Sequence, residues 1–281
     1  MKDIINIFVN GHLSARSLFV QFILILGLVL VAAGGGYAAV TDINSAIVQS
    51  RVINDVPGAT FTGVNNYPSS ISLSETNVSA STGFGNRDQW LFSADGSTAY
   101  PFQHNDYFQA SFDLVLTGNP ITPRKEAGFL FHTASGNGDI QFIVNTDGHE
   151  VVQFGGISFY SFNTSNGITY NSGDTITLGM SYFLDGNNMN ALQFSANGVN
   201  SPLFEFPGSG NGALDVGDGS TLGAYFQIVD DPTNPTNSGS AVFSNISITG
   251  PAPTPVPEPS TIVLLGVGLA GVGVVRRKLR K

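Results

Sequence analysis

Residues 139–154 read Asp-Ile-Gln-Phe-Ile-Val-Asn-Thr-Asp-Gly-His-Glu-Val-Val-Gln-Phe. Two runs rich in β-branched and aromatic residues, Asp139–Asn145 and Val151–Phe154, flank Asn145-Thr146-Asp147-Gly148. The Asp-Gly pair supplies the positive backbone angles a tight reversal needs, so the stretch reads as an antiparallel hairpin. The same grammar extends in both directions. Ala110–Leu116 begins with apolar and polar residues in alternation, with Ala110, Phe112, Leu114 and Leu116 on one face. Gly128–His132 follows, and Thr175–Leu184 and Met189–Ser195 flank a second hairpin turn, Asp185-Gly186-Asn187-Asn188. Ile157–Phe162, Leu203–Phe206, Thr221–Val229 and Ala241–Thr249 complete the set. In the last of these Val242, Ile246 and Ile248 are expected to face inward across a bulge or bend near Ser244 and Ser247. Residues 39 to about 70 are ambiguous, because a short helix and a strand both fit Ile43, Ile47, Val48 and Val52. Ten or more short strands with Asn, Gly, Asp and Ser turns predict an all-β antiparallel two-sheet sandwich or barrel, and the jelly roll is favoured.

The two ends are of a different kind. Lys2 and Arg16 precede the apolar run Leu18–Ala33, and Gly36-Tyr37-Ala38 ends on small residues, so residues 1–38 read as a secretory signal peptide cleaved after Ala38. It would engage the Sec translocon and signal peptidase; an uncleaved N-terminal anchor is the alternative. Either form sends residues 39–250 out of the cytoplasm as an ectodomain. Residues 251–259, Pro-Ala-Pro-Thr-Pro-Val-Pro-Glu-Pro, form a polyproline linker. At ~3.1 Å per residue it holds the domain ~25–30 Å off the membrane. Residues 260–275 read as a transmembrane helix. Its uncharged run Ile262–Val275 rises ~21 Å as a helix at ~1.5 Å per residue. That is short against a hydrocarbon core of ~30 Å. Residues 276–281 carry five cations, Arg276, Arg277, Lys278, Arg280 and Lys281, which stay cytoplasmic and place the cargo across the membrane.

This tail resembles the PEP-CTERM sorting signal: Pro257-Glu258-Pro259, a short apolar helix and a terminal basic cluster, in that order. The resemblance covers Val256–Lys281 and implies Pro257, Glu258 and Pro259 as recognition residues for an exosortase-type processing enzyme. It also implies a Gram-negative host that makes exopolysaccharide, and a cell-surface or matrix destination. Gly266 to Gly271 matches G-x-G-x-x-G. A dinucleotide site needs a strand before it and an acid ~20 residues later, and the chain ends first.

Charge and composition exclude several classes. Between Ala39 and Pro257 there are four basic residues (Arg51, Arg87, Arg124, Lys125) against eighteen acidic ones, a balance of −14. Such a domain repels nucleic acid. With no cysteine there is no disulfide and no thiolate nucleophile, and 21 Phe and 8 Tyr supply core bulk instead. The strand rhythm over Tyr67–Gly250 resembles concanavalin A-like (laminin-G-like) domains, a likeness of fold that implies no activity.

Glycan hydrolases built on such sandwiches pair carboxylates at short spacing. Glu75, Glu126, Glu150 and Glu205 are scattered, His104, His132 and His149 lie far apart, and no G-x-S-x-G elbow is present. No catalytic residue is assigned, and a non-enzymatic role is expected. Asp215 and Asp218, with the loop Asp230–Asn234, offer oxygen ligands for Ca²⁺, or are simply solvated turns. Trp90, the single tryptophan, with Tyr100 and Tyr107, is the candidate glycan platform, against a reading of Trp90 as core. The expectation is an exported surface or matrix protein that binds or structures exopolysaccharide. The alternatives are a glycan-active hydrolase or lyase with an atypical site, and a calcium-dependent adhesin module.

Overall fold

A computed structural model describes residues 40, 42–80, 85–103, 106–134, 138–187, 189–206 and 217–250, the side chains of residues 205 and 206 excepted. In chain order its strands are β1 (Ser45–Ile53), β2 (Thr60–Asn66), β3 (Ser70–Thr76), β4 (Arg87–Ser93) and β5 (Phe108–Asn119). β6 (Lys125–His132), β7 (Ile140–Asn145), β8 (Val151–Gly155) and β9 (Tyr160–Ser161) follow. A short helix, α1 (Phe162–Asn166), precedes β10 (Thr175–Leu184), β11 (Asn190–Ala196), β12 (Val199–Asn200) and β13 (Phe204–Phe206). β14 (Thr221–Ile228) and β15 (Ser238–Thr249) end the series. The expected signal peptide, linker, transmembrane helix and basic tail lie outside the described residues. Among the described residues no helix is long and apolar enough to cross a membrane.

The strands form two antiparallel sheets stacked as a jelly-roll sandwich. One has the order β1-β4-β14-β6-β7-β8-β9; the other has β12-β11-β10-β5-β15-β3-β2, with β13 paired to β11. Both expected hairpins are present, β7–β8 across Asp147-Gly148 and β10–β11 across Asp185-Gly186. The ambiguous stretch after residue 39 resolves as β1 and β2.

Two-residue periodicity sets the layers. In β5 Phe108, Ala110, Phe112, Leu114 and Leu116 all point between the sheets. Phe129 of β6 meets Phe112 from the opposite sheet with ring centroids 4.3 Å apart. Trp90 of β4 packs edge-on against Phe92, Phe112 and Phe243 at 5.1, 6.0 and 5.7 Å. These geometries suit aromatic quadrupoles and add to the burial itself.

Two local expectations are corrected. Val242 faces outward and is 38% exposed, because Ala241 and Phe243 take the inward positions. The register shift between Ser244 and Ser247 then re-phases the strand, so that Ile246 turns inward while Ile248 is partly buried against the core. The aromatic run Ile157–Phe162 is not one strand. Ser161 caps α1 by accepting from the Thr164 N–H at 3.2 Å, and Gly167 at φ 70° ends it.

Replacing Trp90 with Ala is expected to destabilise the domain by ~3–5 kcal/mol, the usual cost of emptying a large aromatic site. Urea unfolding followed by far-UV circular dichroism measures this; a loss under ~1 kcal/mol, within the range of surface substitutions, would remove Trp90 from the core.

Candidate functional site

The outward face of the seven-stranded sheet collects polar side chains from strands far apart in sequence. One cross-strand row runs Gln49, Gln89, Tyr225, Gly128, Ile143, Val152 and Ser161, one residue from each of the seven strands. Beside it runs Arg87, Gln227, Glu126 and Asn145. Both rows leave the side of the sheet opposite Trp90, because they lie one residue out of phase with it.

The Arg87 guanidinium stands 4.6 Å from the centroid of the Tyr225 ring, and its Nε donates to Gln227 Oε1 at 2.7 Å. Tyr225 is fully buried and donates its hydroxyl to Glu126 Oε1 at 2.9 Å. Burial, and then the Glu126 charge, hold this phenol well above its ordinary pKa. Arg124 bridges two carboxylates, donating from Nε to Glu126 at 2.8 Å and from Nη1 to Glu150 at 2.9 Å. Asn145 Nδ2 also donates to Glu150. Further along the face Gln89 Nε2 donates to Gln49 Oε1 at 2.6 Å. His132 sits between Asp139, 2.8 Å from Nδ1, and Gln89 Oε1, 3.3 Å from Nε2. Buried Leu130 and Ile143, with Val152 and Phe154 against them, give the face an apolar floor. Gly223 is obligatory there, since a Cβ would fall 1.9 Å from the Trp90 carbonyl oxygen.

All four cations of the 39–257 stretch belong to this sheet or its immediate flank: Arg51 in β1, Arg87 in β4, Arg124 next to β6 and Lys125 in β6. Lys125 is buried, donates to the carbonyls of Pro120 and Pro123 at 2.6 and 2.7 Å, and has a pKa pulled down to about 8 by burial.

A second cluster, with no signal in the sequence, lies between the layers. Glu75 of β3 and Asp88 of β4 come from opposite sheets, and both are fully buried. Arg51, at φ 53° in the irregular part of β1, donates its backbone N–H to Asp88 at 2.9 Å and approaches Glu75 from Nε at 3.4 Å. Asn86 donates to Glu75 at 3.1 Å. Burial pushes both carboxyls up, Asp88 to about 7, with the Glu75 charge adding to its shift and Arg51 opposing. The pair is closed to any polymer, so it reads as part of the core.

The candidate platform is dispersed. Trp90 is in the core and offers no face to a ligand; the aromatic residues around it claimed the ring. Tyr107 is 3% exposed and donates its hydroxyl to Asn190 at 2.9 Å. Tyr100 packs edge-on against Phe102 with centroids 4.9 Å apart. Asp215 lies outside the described residues, and Asp218 precedes β14 in a turn. Asp231 accepts from the Thr233 backbone N–H and hydroxyl at 2.9 and 2.7 Å, the geometry of a self-satisfied turn. Among the described residues no three His, Asp or Glu side chains gather as a metal set would.

Residues 255–278 match the PEP-CTERM protein-sorting motif. The sorting residues Pro257, Glu258 and Pro259 and the basic residues Arg276, Arg277, Lys278, Arg280 and Lys281 lie outside the described residues. The fold and motif together define the class: an all-β jelly-roll protein, exported and carrying a membrane-anchored C-terminal sorting signal of the kind exosortases process. Comparison with curated protein sequences finds no match. Solved structures resemble the sandwich at low identity. An alginate lyase of polysaccharide lyase family 7, AlgAT5, is 12% identical, with 68% of this chain and 82% of that chain covered and a TM-score of 0.43. The endo-1,3-beta-glucanase from Streptomyces sioyaensis is 13% identical, covering 78% of this chain and 100% of that one, with a TM-score of 0.47. The alginate lyase A1-II' is 14% identical, with 64% and 79% covered and a TM-score of 0.42. These are likenesses of strand layout.

The Asp88 carboxyl gives a pH test. Its folded pKa is raised, so the folded protein binds its proton more tightly than the unfolded chain does. The stability this contributes is complete below pH ~4 and is lost as pH rises to ~7. The substitution Asp88→Asn, which keeps an oxygen for the Arg51 N–H, is expected to flatten that slope and stabilise the domain above pH 7 by a few kcal/mol at ~1.4 kcal/mol per pKa unit. Melting temperature against pH for the two proteins decides it, and parallel curves would show that Asp88 is ionised throughout.

Proposed function

We propose that this protein is an exported surface or extracellular-matrix component that binds exopolysaccharide without turning it over, through the outward face of the seven-stranded sheet. One observation carries this reading: the acidic ectodomain concentrates every cation it has at that sheet, and the partly exposed side chains of Arg87, Arg124 and His132 fringe its outward face above buried Gln89, Gln227 and Tyr225. Guanidinium and imidazole donors at that rim suit the hydroxyl, ether and carboxyl oxygens of a polysaccharide.

Binding is favoured over hydrolysis by the way the carboxylates are engaged. Glu126 is held by Arg124 and Tyr225, Glu150 by Arg124 and Asn145, and Asp139 by His132. Each is already engaged by donors of the protein itself, and none stands free to meet a glycosidic oxygen. The remaining raised carboxyls, Glu75 and Asp88, are sealed between the sheets. Export would bring the domain to the polymer, and an exosortase-type enzyme would decide whether it stays tethered.

The test is a panel of bacterial exopolysaccharides and alginates immobilised for binding, with a parallel assay for new reducing ends and for unsaturated uronate absorbance. Retention without product is expected, with affinity weakened about tenfold by Arg87→Gln, the equivalent of one charge-assisted anchor. Product formed with any polymer of the panel would replace this reading with that of a glycan-active hydrolase or lyase.

A further inference from the structure

A sheet that does not close into a barrel leaves edges, rows of backbone N–H and C=O groups with no partner on one side, and native proteins blunt them. This sandwich has four. The edge strands β9 and β12 are two residues long each. β1 breaks register between Gln49 and Ile53, and Arg51 at that break is drawn inward to Glu75 and Asp88. Short strands, a bulge and a charge are the ordinary protections.

The fourth edge, β2, has none of them. It reads Thr-Phe-Thr-Gly-Val-Asn-Asn, with no charge and no proline. All seven residues keep continuous register with β3, from Thr60 opposite Thr76 to Asn66 opposite Ser70. Every residue but Phe61 is exposed, and Val64 is 45% exposed. Seven residues span ~24 Å at ~3.4 Å each, room for a ladder as long as those inside the sheet. The partner such an edge selects is another extended strand, because only extended backbone presents donors and acceptors at the same spacing.

We propose that β2 pairs antiparallel with β2 of a second copy about a two-fold axis normal to the sheet, joining two eight-stranded sheets into one continuous sheet. Charge argues for a second copy over a foreign strand. The chain carries −9 overall, yet β2 contributes nothing to it, so two copies meet along this edge with no like charges opposed. The outer face also continues across the join. Val64, Ser72, Val242 and Val115 form one cross-strand row, with Val64 and Val242 exposed, and the two-fold brings the two Val64 side chains to the same side of the joined sheet. This assembly is independent of the polysaccharide reading, and would give a matrix protein bivalence whichever ligand it takes.

The full chain in detergent micelles tests it, and the absence of native cysteine makes cross-linking clean. Sedimentation is expected to give a dimer at micromolar concentration. The double variant Thr62→Cys/Val64→Cys, which covers a two-fold axis at or between these positions, is expected to yield a disulfide-linked dimer under mild oxidation. Val199→Cys, on the short β12 edge, is expected not to. Val64→Lys sets like charges together across the join and is expected to weaken the dimer about tenfold or more while leaving the melting temperature of the domain unchanged. A monomer throughout, a dimer that Val64→Lys leaves intact, or cross-linking as efficient at Val199 would each overturn the proposal; the last two would place the contact elsewhere.

Discussion

The contact of Trp90, Phe112, Phe129 and Phe243 between the sheets is the constraint on which the other features depend. With no disulfide available, the two layers hold together by apolar burial, and these rings fix which face of each central strand is turned inward. Once Trp90 is inside, Arg87, Gln89 and Tyr225 must be outside, because successive residues of a strand alternate. A slip of one residue in β4 would turn Gln89 and Arg87 into the layer between the sheets and carry the tryptophan to the opposite side, so the polar face and the aromatic core are a single decision. Gly223 shows how closely this is packed: a side chain there would collide with the carbonyl of Trp90 itself.

Carboxylates take two fates in this molecule, and the difference is energetic. On the outward face Glu126, Glu150 and Asp139 each have a cation within hydrogen-bond reach. Between the layers Glu75 meets the Arg51 guanidinium, which also bridges Asp55 at 2.7 Å, while Asp88 receives the Arg51 backbone N–H, and burial raises the pKa of both acids. A sheltered pair of this kind is a poor site for polymer chemistry because no substrate reaches it. It ties the two sheets where β1 departs from regular pairing, and Asn86 and Arg51 are positioned to limit the desolvation cost rather than to present the acids to solvent.

The architecture was legible because alternation and turn chemistry are local. Asp147-Gly148 and Asp185-Gly186 announced their hairpins, and β5 carried its inward face in plain alternation. β4 did not: Arg87-Asp88-Gln89-Trp90-Leu91-Phe92-Ser93 is buried on both sides, so no alternation of polarity betrays which way Trp90 points. The helix α1 had its signals, a capping serine and a terminal glycine, but the aromatic run around them reads as strand. The outward polar site was illegible for a different reason. Arg87 meets Gln227 from 140 positions away, and Gln49 meets Gln89 from 40. No spacing motif exists for groups assembled by sheet order. Glu75 and Asp88 likewise become neighbours only when two sheets are stacked.

The distribution of charge follows from that stacking and bears on what the domain can approach. The outward positions of the eight-stranded sheet are mostly Ser and Thr, and its one carboxylate among the rows of β5, β10 and β15, Asp113, is occupied by Thr177 and Asn245. The four basic residues of the 39–257 stretch are in the other sheet or directly beside it. On the outward face of the seven-stranded sheet Arg87, Arg124 and His132 stand among Glu126, Glu150 and Asp139, so both signs of charge are interleaved there, while the opposite face is mostly hydroxylated with Asp113 as its carboxylate. Over a Debye length of ~8 Å in physiological salt, it is this local pattern rather than the net charge that governs encounter.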